Sequence, residues 1–316
     1  MAEMTERTLI SKEVFGKVIV ELAEQDERIV VCDTDLMRCF GTKAFSQRYP
    51  RRHINFGIAE QNCMATAAGI ALAGKNVFAS SFANFATKRA CDQVSISIAY
   101  NEANVKVCGL YAGLTAEKNG GTHIGVEDVA LMRSIPNMCV IEPADTWELE
   151  AAVRFLAEYE GPVYFRQPKM YLRNVYDHMP EFQLGKGVTL TDGSDIAIIA
   201  CGIMTGIALD AAKLLKAEGI FARIINMPSL KPLDGEVIRK AARETGAVIT
   251  CENHSVIGGL GSAAAEVLAE KGSKVKLRRM GLSDVFGVTA SLAYQLEKNQ
   301  LTKEAIAAEA RLLLGK

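Results

Sequence analysis

The sequence predicts an α/β protein made of two doubly wound domains. Short apolar runs rich in β-branched residues recur along the chain, helical stretches separate them, and the pattern lapses once near the middle. Strands that are apolar throughout, rather than alternating, belong to parallel sheets covered on both faces. The chain has 316 residues, 49% hydrophobic and 23% charged, enough for two domains that each bury a core.

The predicted strands are 28–32, 76–79, 105–109, 138–141 and 162–165 in the first half, then 196–200, 222–226, 247–251 and 275–277 in the second. Three helices carry their own signals. Ser11 precedes Lys12-Glu13-Val14-Phe15 as a cap and first turn. Asp145 caps Thr146-Trp147-Glu148-Leu149-Glu150, whose acids suit the positive end of a helix dipole. A third helix starts near Met204, runs through Leu209 to Leu215 and stops before Gly219. Between Pro168 and Gly187 the apolar periodicity lapses around Pro168 and Pro180, so we read residues 7–172 as one domain, 173–186 as a linker and 187–316 as the second domain.

Composition excludes several classes. The net charge is −1 and the 36 Lys and Arg residues are scattered, leaving no footprint for nucleic acid. The stretch from Met1 to Lys12 is polar with both charge signs, unlike a secretory or transit peptide, and no apolar run approaches the ~20 residues of a membrane span. The eight cysteines form no CxxC pair and lack zinc spacing, which predicts buried free thiols in a reducing cytoplasm and no metal site in the chain.

Three segments carry chemistry. In Asn55-Phe56-Gly57-Ile58-Ala59-Glu60-Gln61-Asn62, a Glu opens a helix of small residues that packs closely and holds its carboxyl in a dry interface. Taken alone, Glu60 also reads as decoration of a helix N-terminus. Downstream, Phe82 and Phe85 stand three residues apart after a strand; alone they read as core rings. Next, His123, one of four histidines, lies in a Gly-rich loop before Glu127-Asp128, a fair place for a proton shuttle.

Taken together and in this order, the strings resemble the transketolase family of thiamine-diphosphate enzymes, and the resemblance covers nearly the full chain. It implies a pyrimidine-binding domain followed by a transketolase C-terminal domain. It implies that Glu60 hydrogen-bonds N1′ of the aminopyrimidine and that Phe82 stacks on that ring, with Phe85, Ile58 and Asp35 also at the cofactor. His123 matches the histidine facing the cofactor amino group and the substrate. Arg166 falls on the arginine that binds a sugar phosphate, while Arg89, Asp92 and Gln93 are assigned to the subunit interface or the helix. The second domain, His254 included, is implied to be structural.

The chain departs from the family in two ways. The Gly-Asp-Gly motif that binds the diphosphate through Mg²⁺ is not found, since Asp192-Gly193 has no Gly before it. The resemblance therefore implies a partner subunit that carries the diphosphate domain and its Mg²⁺, in an assembly of two copies of each chain. At the substrate end, Lys12 stands for the family's Arg, Cys39 for a phosphate-contacting Ser, Tyr111 for a His and Asn119 for an Asp. Lys lacks the bidentate fork of Arg, so the changes predict a donor other than the pentose phosphates, such as a sulfonated or branched ketose. The expected activity is transfer of a two-carbon ketol unit from a ketose to an aldehyde. The alternatives are the β subunit of a 2-oxoacid dehydrogenase E1 and a non-catalytic transketolase-like binding protein.

Overall fold

A computed structural model describes residues 10–316, so the expected domain start at residue 7 and most of the Met1–Lys12 stretch lie outside the described residues. Two sheets organise the chain. The first has seven strands: β1 (Ile29–Asp33), β2 (His53–Asn55), β3 (Asn76–Phe82), β4 (Val105–Leu110), β5 (Cys139–Ile141), β6 (Val163–Arg166) and β10 (Ser229–Lys231). The second has five: β7 (Val188–Thr191), β8 (Ile196–Ala200), β9 (Ala222–Asn226), β11 (Ala247–Ser255) and β12 (Lys276–Leu282). Their orders are β10-β5-β6-β4-β3-β1-β2 and β12-β11-β8-β9-β7.

The central pairs are parallel, as continuous apolar runs require. Strands β1, β4, β6 and β8 are buried at every residue. The covering helices include α1 (Ser11–Gln25), α4 (Glu60–Leu72), α5 (Asp128–Ser134), α6 (Thr146–Glu158), α7 (Ile203–Ala217), α8 (Gly235–Thr245), α9 (Leu260–Glu270) and α11 (Lys303–Leu314). Short α2 (Met37–Phe40) and α3 (Lys43–Arg48) follow β1, and α10 (Leu292–Lys298) precedes α11. None of the described helices is long and apolar enough to cross a membrane.

Sequence and structure differ in instructive places. β2, β7 and β10 were not predicted: two are three residues long, and β7 alternates half-buried and exposed residues at a sheet edge. β10 leaves the second half of the chain and pairs antiparallel with β5 of the first sheet. The ammonium of Lys231 at its end donates to the carbonyls of Arg133 and Ile135, so the two halves are tied by strand pairing and by this side chain. Ser11 does not cap α1: its hydroxyl donates to the carbonyl of Pro168, 2.5 Å away, and Ile10 occupies the cap position. Asp145 caps α6 as predicted, accepting from the N–H groups of Trp147 and Glu148 at 2.9 and 2.8 Å. Residues 167–187 hold no helix or strand beyond a single bridge between Ile10 and Met170. All eight cysteines are free, six buried and Cys39 and Cys91 half-buried.

Candidate active site

The site forms at the C-terminal ends of β1 to β4, where loops lead into helices. Glu60 is the first residue of α4, where the helix dipole favours a carboxylate. Its side chain is 3% exposed, and both oxygens are held. Ser81, on β3, donates to Oε1 at 3.2 Å, and the Thr34 hydroxyl donates to Ser81 at 2.9 Å. Arg89 donates to Oε2 at 2.9 Å. A buried carboxylate with a fixed direction is thus built from three segments far apart in sequence.

Beside it stand four rings. Phe82 ends β3, and the helix that follows opens with a π-helical turn, Phe85–Arg89. Such turns concentrate at functional sites. The wide turn lays Arg89 on Phe85, with its guanidinium carbon 4.3 Å from the ring centre. His123 lies 5.0 Å from Phe85 and 5.6 Å from Phe82, both edge-on, and Tyr111 lies 5.4 Å from Phe82. The Thr122 hydroxyl engages His123 Nδ1 at 2.9 Å, and Asn84 fixes the loop by donating to the Thr122 carbonyl at 2.6 Å. Phe82, Phe85, Tyr111 and His123 are all half-buried, so the cluster is open on one side.

Three of the seven non-glycine residues with positive φ among the described residues lie in the loops of this region. Asp35, Tyr111 and Glu117 have φ of +62°, +54° and +50°, conformations that cost non-glycine residues energy and recur at ligand sites. Asp35 is exposed, and its N–H is held by Asn55 Oδ1 at 3.1 Å. Behind it, Asp33 accepts from Leu36 N–H and pairs with His53 Nε2 at 2.7 Å. Burial, with Cys39 beside it, pushes the Tyr111 phenol well above its ordinary range.

The other predicted residues spread out. Ile58 is 78% exposed and Asn119 is exposed. Lys12 lines a groove of about 810 Å³ with Lys17, Arg38, Lys43 and Arg48; its backbone packs on Gly41, which ends the short helix carrying Cys39. Lys17 and Arg48 pair with Glu21 and Glu24, while Lys12, Arg38 and Lys43 have no ion pair among the described residues.

Arg166 corrects a sequence expectation. Its side chain is fully buried. It donates to Asp128 at 2.7 Å, to Glu142 at 2.5 Å and to the carbonyls of Asn253 and Gly125 at 2.9 and 3.4 Å. A guanidinium so enclosed presents no accessible face to a sugar phosphate. Burial opposes its charge, but Asp128 and Glu142 overcome that and hold its pKa well up. Conversely, Arg89 was assigned elsewhere and turns out to grip Glu60; the available signal was its spacing of four from Phe85.

Chemically, the cluster offers a buried acceptor, ring faces for stacking and an imidazole, which fit a flat nitrogen heterocycle such as the aminopyrimidine. The fit ends there. Among the described residues, no group of three His, Cys, Asp or Glu is placed to hold a metal ion.

Comparison with known proteins agrees. The family described as transketolase, pyrimidine binding domain, matches residues 8–175, and transketolase, C-terminal domain, matches 185–306. The chain is 46% identical to a 6-deoxy-6-sulfo-D-fructose transketolase subunit of Clostridium sp. (strain MSTE9), over 93% of this chain and 91% of that one. It is 37% identical to an apulose-4-phosphate transketolase subunit of Phocaeicola vulgatus, over 96% and 98%. A solved structure described as a split gene transketolase, inactive beta4 tetramer, is 45% identical with a TM-score of 0.89, covering 97% of this chain and 99% of that one.

Proposed function

This chain belongs to the transketolase family, and we propose that it presents the aminopyrimidine half of a thiamine-diphosphate site whose diphosphate and Mg²⁺ are held by a partner subunit. It is a transketolase-type transferase subunit. When bound, thiamine diphosphate would supply the nucleophilic carbon for the carbonyl chemistry. One observation carries the reading: Glu60 is a buried, doubly held carboxylate at the foot of an open ring cluster.

The residues act as follows. Glu60 accepts from the pyrimidine ring nitrogen, Phe82 supplies the stacking face, and Phe85 and Tyr111 wall the pocket. Asp35 and Ile58 lie at the open rim, towards the partner, and Asn119 stands farther out with the substrate. His123 moves a proton at its imidazole. Residues 7–172 form the pyrimidine-binding domain, 173–186 the linker and 187–316 the C-terminal domain. Two copies of each chain assemble in the cytoplasm.

The donor is a ketose bearing an acid group. Lys12, Arg38 and Lys43, without ion pairs among the described residues in a groove that Glu13, Glu21 and Glu24 also line, support this. So do the names of two relatives, which put a sulfo or phosphate group on the sugar. The relatives do not favour the 2-oxoacid dehydrogenase reading. The test is kcat/KM of this chain with its partner over sulfonated, phosphorylated and neutral ketoses and pyruvate. Acid-substituted ketoses should lead neutral ones by about 10- to 100-fold, the worth of a charged hydrogen bond. Equal use of neutral ketoses contradicts the donor assignment, and activity on pyruvate alone contradicts the family reaction.

A further inference from the structure

The second domain meets the first at several places, β10 among them, and one of these is the loop of His123. The segment 283–292 follows β12 and leads into α10. Its Gly287 lies so close to Ile124 that a Cβ there would sit 2.7 Å from two side-chain carbons of Ile124. In return, a Cβ on Gly121 would sit 2.5 Å from the Gly287 carbonyl, and one on Gly120 would sit 2.6 Å from the Thr289 hydroxyl. The two backbones touch because both sides are bare.

Hydrogen bonds extend the seam. Gln295 of α10 is fully buried; its amide donates to the Leu114 carbonyl at 3.4 Å and its oxygen accepts from Val288 N–H at 3.3 Å. Leu292 N–H donates to Glu117 at 3.3 Å. Asn253, at the end of β11, accepts from Leu114 N–H at 2.9 Å, and Ser255 N–H donates to the Val126 carbonyl at 2.8 Å. The stretch from Ala112 to Val126, with His123 near its crest, is therefore laid between the second domain on one side and Lys169, Asn84 and the Phe82 and Phe85 rings of the first on the other. Nothing in the first domain but Asn84 holds the crest by side-chain hydrogen bond, among the described residues.

We propose that the C-terminal domain is the positioning scaffold for the His123 imidazole, with Gly287, Thr289 and Gln295 as its positioning residues. This rests on the reading of His123 as the proton-moving group. A displacement near 1 Å at such a group costs up to about 100-fold in rate, and a methyl added at residue 287 meets the Ile124 side chain, next to His123, at 2.7 Å, so that side chain must shift.

The test combines exchange and kinetics. In the isolated chain, Gly287→Ala should speed amide exchange in residues 120–124 by about tenfold. With the partner, thiamine diphosphate and Mg²⁺, it should lower kcat by about 10- to 100-fold while KM moves less than threefold. In a His123→Ala background, Gly287→Ala should cost less than a further twofold, because the group it misplaces is gone. If Gly287→Ala does not fold, Gln295→Met cuts the same seam at constant bulk, with the same outcomes expected. The proposal is overturned if the kcat losses of the two substitutions multiply, or if exchange speeds up while kcat stays unchanged. A His123→Ala enzyme with normal kcat also overturns it, and then the fault lies in the reading of His123 rather than in the scaffold.

Discussion

Two of the arginine–carboxylate clusters among the described residues, one around Arg166 and one around Glu60, differ in a respect that decides their roles. Around Arg166, Asp128 and Glu142, every side chain is enclosed, and the guanidinium faces two carboxylates and two carbonyls. Around Glu60, the carboxylate is buried, but its arginine is 45% exposed and lies on a ring that opens outward. The first cluster is finished within the chain; the second is complete only on one side. Both join an arginine to a buried carboxylate, so that pairing alone does not mark function. What marks it is a buried charge whose surroundings leave a direction open.

Substitutions can break the comparison. Glu60→Gln should lower kcat by about 10²- to 10⁴-fold, the usual worth of a positioned proton-transfer group, with the melting temperature nearly unchanged. A large loss of stability with normal kcat would place Glu60 among the structural charges. Arg166→Met should do the reverse, removing about 3–5 kcal/mol of unfolding free energy because two buried carboxylates lose their counter-charge. Urea unfolding measures it, and a loss under about 1 kcal/mol would mean that the enclosed cluster does not hold the domains.

Glu148 sharpens the same contrast. It is a closed carboxylate at the junction of the two sheets, accepting from Ala144 N–H at 2.6 Å and Asn226 at 2.8 Å. Burial pushes its pKa from 4.5 up to about 7. The folded state thus keeps a proton that the unfolded state has lost between about pH 4.5 and 7. That contribution is fully present below pH 4.5 and is lost as pH rises through 7, a change on the order of 3 kcal/mol. Glu148→Gln should flatten the pH dependence of urea stability over this window. An unchanged slope would deny that the junction carboxylate carries its proton into neutral pH.

Much of this was legible in the sequence. Continuous apolar runs marked the long strands, Asp145 marked a helix start, and the order of Glu60, Phe82, Phe85 and His123 marked the site. The rest depended on distance through space. β10 was hidden because its three residues pair with a strand almost ninety positions earlier. Arg166 misled because motif position says nothing about which carboxylates close over a side chain. Ser81 and Thr34 went unnoticed because a hydroxyl gains meaning only from the carboxylate it meets. The contact of the second domain with the His123 loop left no signal in the sequence, because it joins glycine backbone to side chains such as Gln295 and Asn253 more than a hundred residues away.

The central claim is that this chain holds one side of a shared site. The most direct measurement is thiamine-diphosphate- and Mg²⁺-dependent ketose cleavage by this chain alone, by its partner alone and by the two mixed, with Glu60→Gln in the mixture as control. Turnover only in the mixture, collapsing with Glu60→Gln, is the predicted result; turnover by this chain alone, or an unaffected Glu60→Gln mixture, would contradict it.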